Sequence, residues 1–131
     1  MPQSRTELAV PTILVTGASS GARVLAGVRT TADADSLRQE FGAAVIPLIL
    51  DVADPAGRER AFAEVAALCA DAGLHGLINK AGIVVAGPLA EVSAEDLERQ
   101  FAVNLFGLHA VTAAMIPHLA AAHPRPGRIV M

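Results

Sequence analysis

The segment Thr16-Gly17-Ala18-Ser19-Ser20-Gly21 closes an apolar run that begins at Thr12. A strand opening into a loop of small residues suits a phosphate-binding turn. Gly17 permits the turn, Gly21 lets the backbone approach a pyrophosphate, and the hydroxyls of Ser19 and Ser20 can donate. The same residues would also make an ordinary Gly/Ser loop. A phosphate turn further needs a helix directly behind it, whose N-terminal N–H groups and positive dipole end hold the anion. Here Gly21 runs at once into Ala22-Arg23-Val24-Leu25-Ala26-Gly27-Val28, which reads as another strand.

Arg29 ends that second strand. In a dinucleotide fold this position lies beside the adenosine ribose, where an acidic residue would accept from the 2′-hydroxyl. A guanidinium instead pairs with a 2′-phosphate through charge-assisted bonds, which favours NADP over NAD. A solvated surface arginine is the plain alternative. Asp51 and Val52 close a third strand, on the edge where ligands of open α/β sheets bind. The Asp51 carboxylate could accept from an adenine amino group, or it could simply cap the following turn. Asn79-Lys80-Ala81-Gly82 follows a fourth strand, and its small residues Ala81 and Gly82 admit either a nucleotide ribose or a turn. Asn104 interrupts an apolar helical stretch, and a buried asparagine there needs hydrogen-bond partners. His75, His109, His118 and His123 lack ligand spacing, so no metal site is expected. Cys69 reads as a small core residue.

The elements that must carry these residues alternate between strand and helix, which implies βαβ units and an α/β sheet. Strands are expected at 12–16, 23–28, 44–50 and 74–79, with a fifth starting at Arg128. Pro47 suits an edge strand. A helix over 32–41 starts from Thr30 or Thr31 and stops at Gly42. Asp54-Pro55 caps a helix running to about residue 70. Ser93 and Asp96 form a capping-box variant opening a long helix through Phe101, Leu105, Leu108 and Met115, which Pro117 should kink or end.

The 131 residues fit one domain, and 53% hydrophobic content allows a sizeable core. Net charge is −3 with the basic residues scattered, which argues against a nucleic-acid surface. The lone cysteine excludes a disulfide framework and points to a reducing, cytoplasmic compartment. The N-terminus shows no apolar signal segment. Residues 101–122 contain no Asp, Glu, Lys or Arg and are long enough to span a bilayer, but Asn104, His109, Thr112, Pro117 and His118 favour a buried helix over a membrane span.

Taken together, the glycine loop, Arg29, Leu50-Asp51-Val52, Asn79-Lys80-Ala81-Gly82, Val103-Asn104-Leu105-Phe106-Gly107 and the closing Gly127-Arg128-Ile129-Val130 resemble the short-chain dehydrogenase/reductase family, in that family's order from end to end. The resemblance implies a Rossmann-type parallel sheet with flanking helices, residues 1–131 forming a partial NAD(P)-binding domain. It implies NADP, or alternatively NAD, as cofactor. Thr16, Gly17, Ser19, Ser20 and Gly21 would hold the phosphates, Asp51 and Val52 would lie at the adenine, and Asn79, Ala81 and Gly82 at the ribose. Asn104 would belong to the catalytic group and help hold a proton-relay water.

Relatives act on a small-molecule alcohol or carbonyl, and many associate as homo-oligomers through the helix here expected at 94–122. Three departures accompany the resemblance. The first crossover helix is missing, Lys80 replaces an asparagine, and the family's catalytic serine and Tyr-x-x-x-Lys would fall after the fifth strand, past Met131. The chain has no tyrosine. The expectation is a hydride-transferring oxidoreductase by ancestry, inactive as this chain alone. The alternative is a non-catalytic nucleotide- or partner-binding remnant, or a degenerate product. Without its helix, the first connection must either cross the sheet as an extended loop or fold back as an antiparallel hairpin, because a parallel crossover needs roughly a dozen residues.

Overall fold

The computed structural model describes residues 12–16, as backbone, together with 23–122 and 125–131. Five strands form one sheet in the order β3-β2-β1-β4-β5. They are β1 (Thr12–Thr16), β2 (Arg23–Val28), β3 (Val45–Ile49), β4 (Gly76–Ile78) and β5 (Arg128–Val130). Pro47 lies in β3, at the sheet edge, where a missing N–H is tolerated.

The expected all-parallel sheet is altered at its centre. β2 and β3 pair parallel, as do β4 and β5, but β1 runs antiparallel to both of its neighbours. Thr12 lies opposite Gly27 and Thr16 opposite Arg23. The hairpin is therefore the outcome. Residues 17–22 are too few for a parallel crossover, but they suffice to reverse the chain.

Helix α1 (Thr31–Phe41) starts at Thr30, whose Oγ1 accepts from Asp33 N at 3.1 Å, and ends at Gly42 with φ of 56°. Helix α2 (Pro55–Leu68) is capped by Asp54, whose carboxylate accepts from Ala56 N at 3.1 Å and Gly57 N at 2.9 Å. Ser93 opens α3 (Ala94–Phe101): its Oγ accepts from Asp96 N at 3.1 Å and donates to Asp96 Oδ2 at 2.7 Å. A π-helical turn, Ala102–Gly107, joins α3 to α4 (Leu108–Ala120). The helix continues through Pro117 to Ala120 instead of stopping there, since the proline falls in the last turn and disturbs little of the ladder. The end of α4 is tied to the sheet. Leu74 N donates to His118 O at 2.9 Å, and Gly127 N donates to Leu119 O at 2.8 Å.

The core joins Leu25, Leu48 and Leu77 of the sheet to Ala61 and Val65 of α2 and to Val111, Met115 and Leu119 of α4. Cys69 is buried in the same cluster. The long helix is less buried than its composition suggests. Leu97, Phe101, Leu105, Phe106 and Ile116 are exposed, because the helix meets the core mainly through the Val111-Met115-Leu119 stripe, with Val103 and Ala114 packed beside it. By length and composition, the run Ala94–Ala120 is apolar enough to cross a membrane.

Candidate functional site

The parallel strands bring several of the singled-out residues to one edge. Val28 pairs with Ile49, and Leu50 N donates to Val28 O at 2.8 Å, so Arg29 and Asp51 leave the sheet side by side. Ile13 pairs with both Ala26 and Ile78, which sets the end of β4 level with Ala26, two residues before the end of β2. Arg29, Asp51, Val52 and Asn79 therefore all follow carboxyl ends of parallel strands, where open α/β sheets bind ligands.

Their surroundings differ. Arg29 is exposed. Asp51 is exposed, and its Oδ1 accepts from Ala53 N at 2.9 Å, a turn-forming bond that occupies one carboxylate oxygen. Both sequence readings of Asp51 thus retain a physical basis. Val52 is buried, and its carbonyl accepts from Arg58 Nη1 at 2.6 Å. The Asn79 side chain reaches the long helix, donating to Thr112 Oγ1 at 2.9 Å, while its backbone N–H donates to Val130 O at 2.9 Å.

After Asn79 the chain passes through Lys80, Ala81 and Gly82 without a turn or bend. Asn104 holds this segment by two bonds. Its Oδ1 accepts from Ile83 N at 2.9 Å and its Nδ2 donates to Ile83 O at 2.8 Å. Asn104 is exposed as a residue and not buried as the apolar stretch suggested, although its two bonds to Ile83 are part-buried. One lone pair and one N–H of the amide remain for a water or ligand. A Cβ added at Gly82 would sit 3.4 Å from Asn104 Oδ1, an ordinary contact, so this approach does not itself require glycine. Gly107, at the end of the π-turn, is different. A Cβ there would meet Val52 O at 2.6 Å, so glycine lets the helix touch the loop that follows β3.

Two residues escaped the sequence reading. Gln100 Oε1 accepts from Val85 N at 2.8 Å, and Thr112 receives Asn79. Gln100 could have been found, since it precedes Asn104 by one helical turn.

The reversed β1 separates the other half of the expected site. Thr16 pairs with Arg23, at the end of the sheet where β2 begins, whereas Arg29 leaves the opposite end. The six-residue β2 spans about 20 Å at ~3.3 Å per residue. Gly17, Ser19, Ser20 and Gly21 lie outside the described residues, but both ends of their segment are at the Thr16–Arg23 edge. Among the described residues, Arg29, Asp51, Val52 and Asn79 share the end of the sheet opposite the Thr16–Arg23 pair. Among the described residues no cluster of His, Cys, Asp or Glu could hold a metal ion.

An α/β sheet with parallel carboxyl ends gathered at one edge, and an asparagine-bearing helix beside them, defines a Rossmann-like α/β class. The family model described as short chain dehydrogenase matches residues 12–131, and the chain belongs to that family. The uncharacterized oxidoreductase YbbO of Escherichia coli K12 is 35% identical over 136 residues, covering 91% of this chain and 47% of that protein. The chain thus spans about half the length of this relative. The crystal structure of 3-ketoacyl-(acyl-carrier-protein) reductase from Brucella melitensis, complexed with NADH, has a TM-score of 0.63 at 26% identity, covering 71% of this chain and 38% of that one. Gluconate 5-dehydrogenase from Burkholderia cenocepacia, in complex with NADP and tartrate, has a TM-score of 0.59 at 29% identity, covering 74% and 38%.

Proposed function

We propose that this chain carries the adenosine-recognition side of an NADP(H)-dependent oxidoreductase, one that interconverts an alcohol and a carbonyl in its complete form. The observation that carries the reading is Arg29 at the carboxyl end of β2, level with Asp51 after β3, with no acidic residue at that strand end. A guanidinium there favours a 2′-phosphate, whereas an acidic residue ending β2 would accept from a 2′-hydroxyl instead. The Burkholderia relative's complex with NADP is in line with this choice, and the Brucella relative's complex with NADH marks the alternative.

Residues 1–131 alone turn over no alcohol or carbonyl on this reading. The sequence contains no tyrosine to act as the family's acid/base, a contribution of about 10²–10⁴-fold in enzymes generally. Separation of Thr16 from the Arg29 edge favours the second reading for this chain in isolation, a non-catalytic nucleotide- or partner-binding unit. The exposed apolar face of Leu97, Phe101 and Leu105 supports self-association through the long helix. A cytoplasmic location, without membrane or nucleic-acid partners, completes the proposal.

The test uses fragments that need no pyrophosphate site. Calorimetric titration should show 2′,5′-ADP binding at least about tenfold more tightly than 5′-AMP, the scale of one charged hydrogen bond. Arg29→Ala should abolish the difference. Equal binding of the two nucleotides by the unaltered chain would remove the NADP assignment.

A further inference from the structure

The extended segment after Gly82 is gripped by the long helix at two levels. Asn104 bonds both backbone groups of Ile83, and Gln100 accepts from Val85 N at 2.8 Å. The spacing is a match of two periods. Residues four apart on a helix rise about 6 Å, and residues two apart on an extended chain advance about 6.6 Å. Gln100 and Asn104 can therefore serve Val85 and Ile83 together, as rungs of a side-chain ladder. Ile83 is buried, Val84 is exposed and Val85 is half-buried, the alternation of a strand, with no strand paired to it among the described residues.

We propose that Gln100 is a positioning residue. It pins Val85 and so holds 83–85 rigid, as a wall beside the cleft at the carboxyl end of β4, before any nucleotide arrives. The helix supplies what a neighbouring strand would otherwise give. The position of the wall follows from Asn79 ending β4 at the edge shared with Arg29 and Asp51; its use by a dinucleotide rests on the function proposed above. Asn104 alone fixes one residue and leaves the segment free to swing about Ile83. The second rung removes that freedom, and a pre-ordered wall spares a ligand the cost of ordering it.

The deciding comparison is Gln100→Met, which keeps the length but removes the acceptor, against Gln100→Glu, which keeps it. Amide hydrogen exchange is followed by NMR on the nucleotide-free chain. Gln100→Met should speed exchange at Val85 by about tenfold or more, the consequence of leaving that N–H unpaired, with exchange in α2 unchanged. Gln100→Glu should restore Val85 protection. NADPH titration of the same proteins should follow the same order, weaker for Gln100→Met and recovered for Gln100→Glu. Unchanged Val85 exchange in Gln100→Met would overturn the latch. Altered exchange with identical NADPH affinity in all three proteins would overturn its role as a cleft wall. An unaltered chain that protects Val85 yet takes up no NADPH would uphold the latch and count against the proposed function instead.

Discussion

Replacing Gly107 with alanine puts a methyl group where two backbone oxygens already stand. Its Cβ would lie 2.6 Å from Val52 O and 3.0 Å from Ala102 O. Neither atom is the tip of a flexible side chain, and Val52 O is also held by Arg58 Nη1 at 2.6 Å. The helix or the loop after β3 must retreat by several tenths of an ångström. Overpacking of this kind costs about 1–3 kcal/mol. Alanine returns up to about 1 kcal/mol through its helix propensity, so the net loss should be about 1–2 kcal/mol. At an m-value of about 1–3 kcal/mol/M, the urea midpoint should fall by about 1 M. The chain has no tryptophan or tyrosine, so far-UV circular dichroism is the practical signal. Gly87 is the control, because a Cβ there meets only Val92 Cγ2 at 3.8 Å. Gly87→Ala should leave the midpoint near that of the unaltered chain. A Gly107→Ala midpoint equal to or above it would refute the claim that the π-turn packs directly on Val52.

Asp54→Ala should lower stability by about 1 kcal/mol, because the carboxylate accepts from two N–H groups at the start of α2; the same urea titration reads it, and Asp54→Ser should recover most of the loss. Burial raises the Cys69 thiol pKa, against the opposing effect of Arg23, so the folded state favours the protonated form. That contribution is intact below the ordinary thiol range and is lost as pH rises through it, because the unfolded chain ionises first. Urea midpoints measured through the alkaline range should fall more steeply for the unaltered chain than for Cys69→Ala.

The helix caps could be read from the sequence because their causes are local, whereas the strands expected at 44–50 and 74–79 are shorter, at Val45–Ile49 and Gly76–Ile78. Thr30, Asp54 and Ser93 bond N–H groups two or three residues away, and Gly42 ends a helix with a positive φ. Pro47 marked an edge strand for an equally local reason. The direction of β1 was not legible, since an apolar run of five residues looks the same from either neighbour. Only the shortness of 17–22 restricted the choice to a crossing loop or a hairpin. Arg29, Asp51 and Asn79 could be placed at one edge once the strands were recognised. Asn104 was singled out by its polar character in an apolar stretch, but its exposure and its bonds to Ile83 depend on how a loop without periodicity lies across the helix. Gln100 was missed because its partner is a backbone group in that loop.

The direction of β1 decides whether the glycine segment and the Arg29 edge can serve one ligand, and paired cysteines read it most directly. In a Cys69→Ser background, Thr16→Cys with Arg23→Cys should oxidise readily to an intramolecular disulfide, because these residues face each other across the antiparallel pair. Thr16→Cys with Val28→Cys should not, since Val28 lies at the far end of β2. Cross-linking of Thr16 to position 28 and not to position 23 would contradict the account, and would bring the glycine segment back to the nucleotide edge.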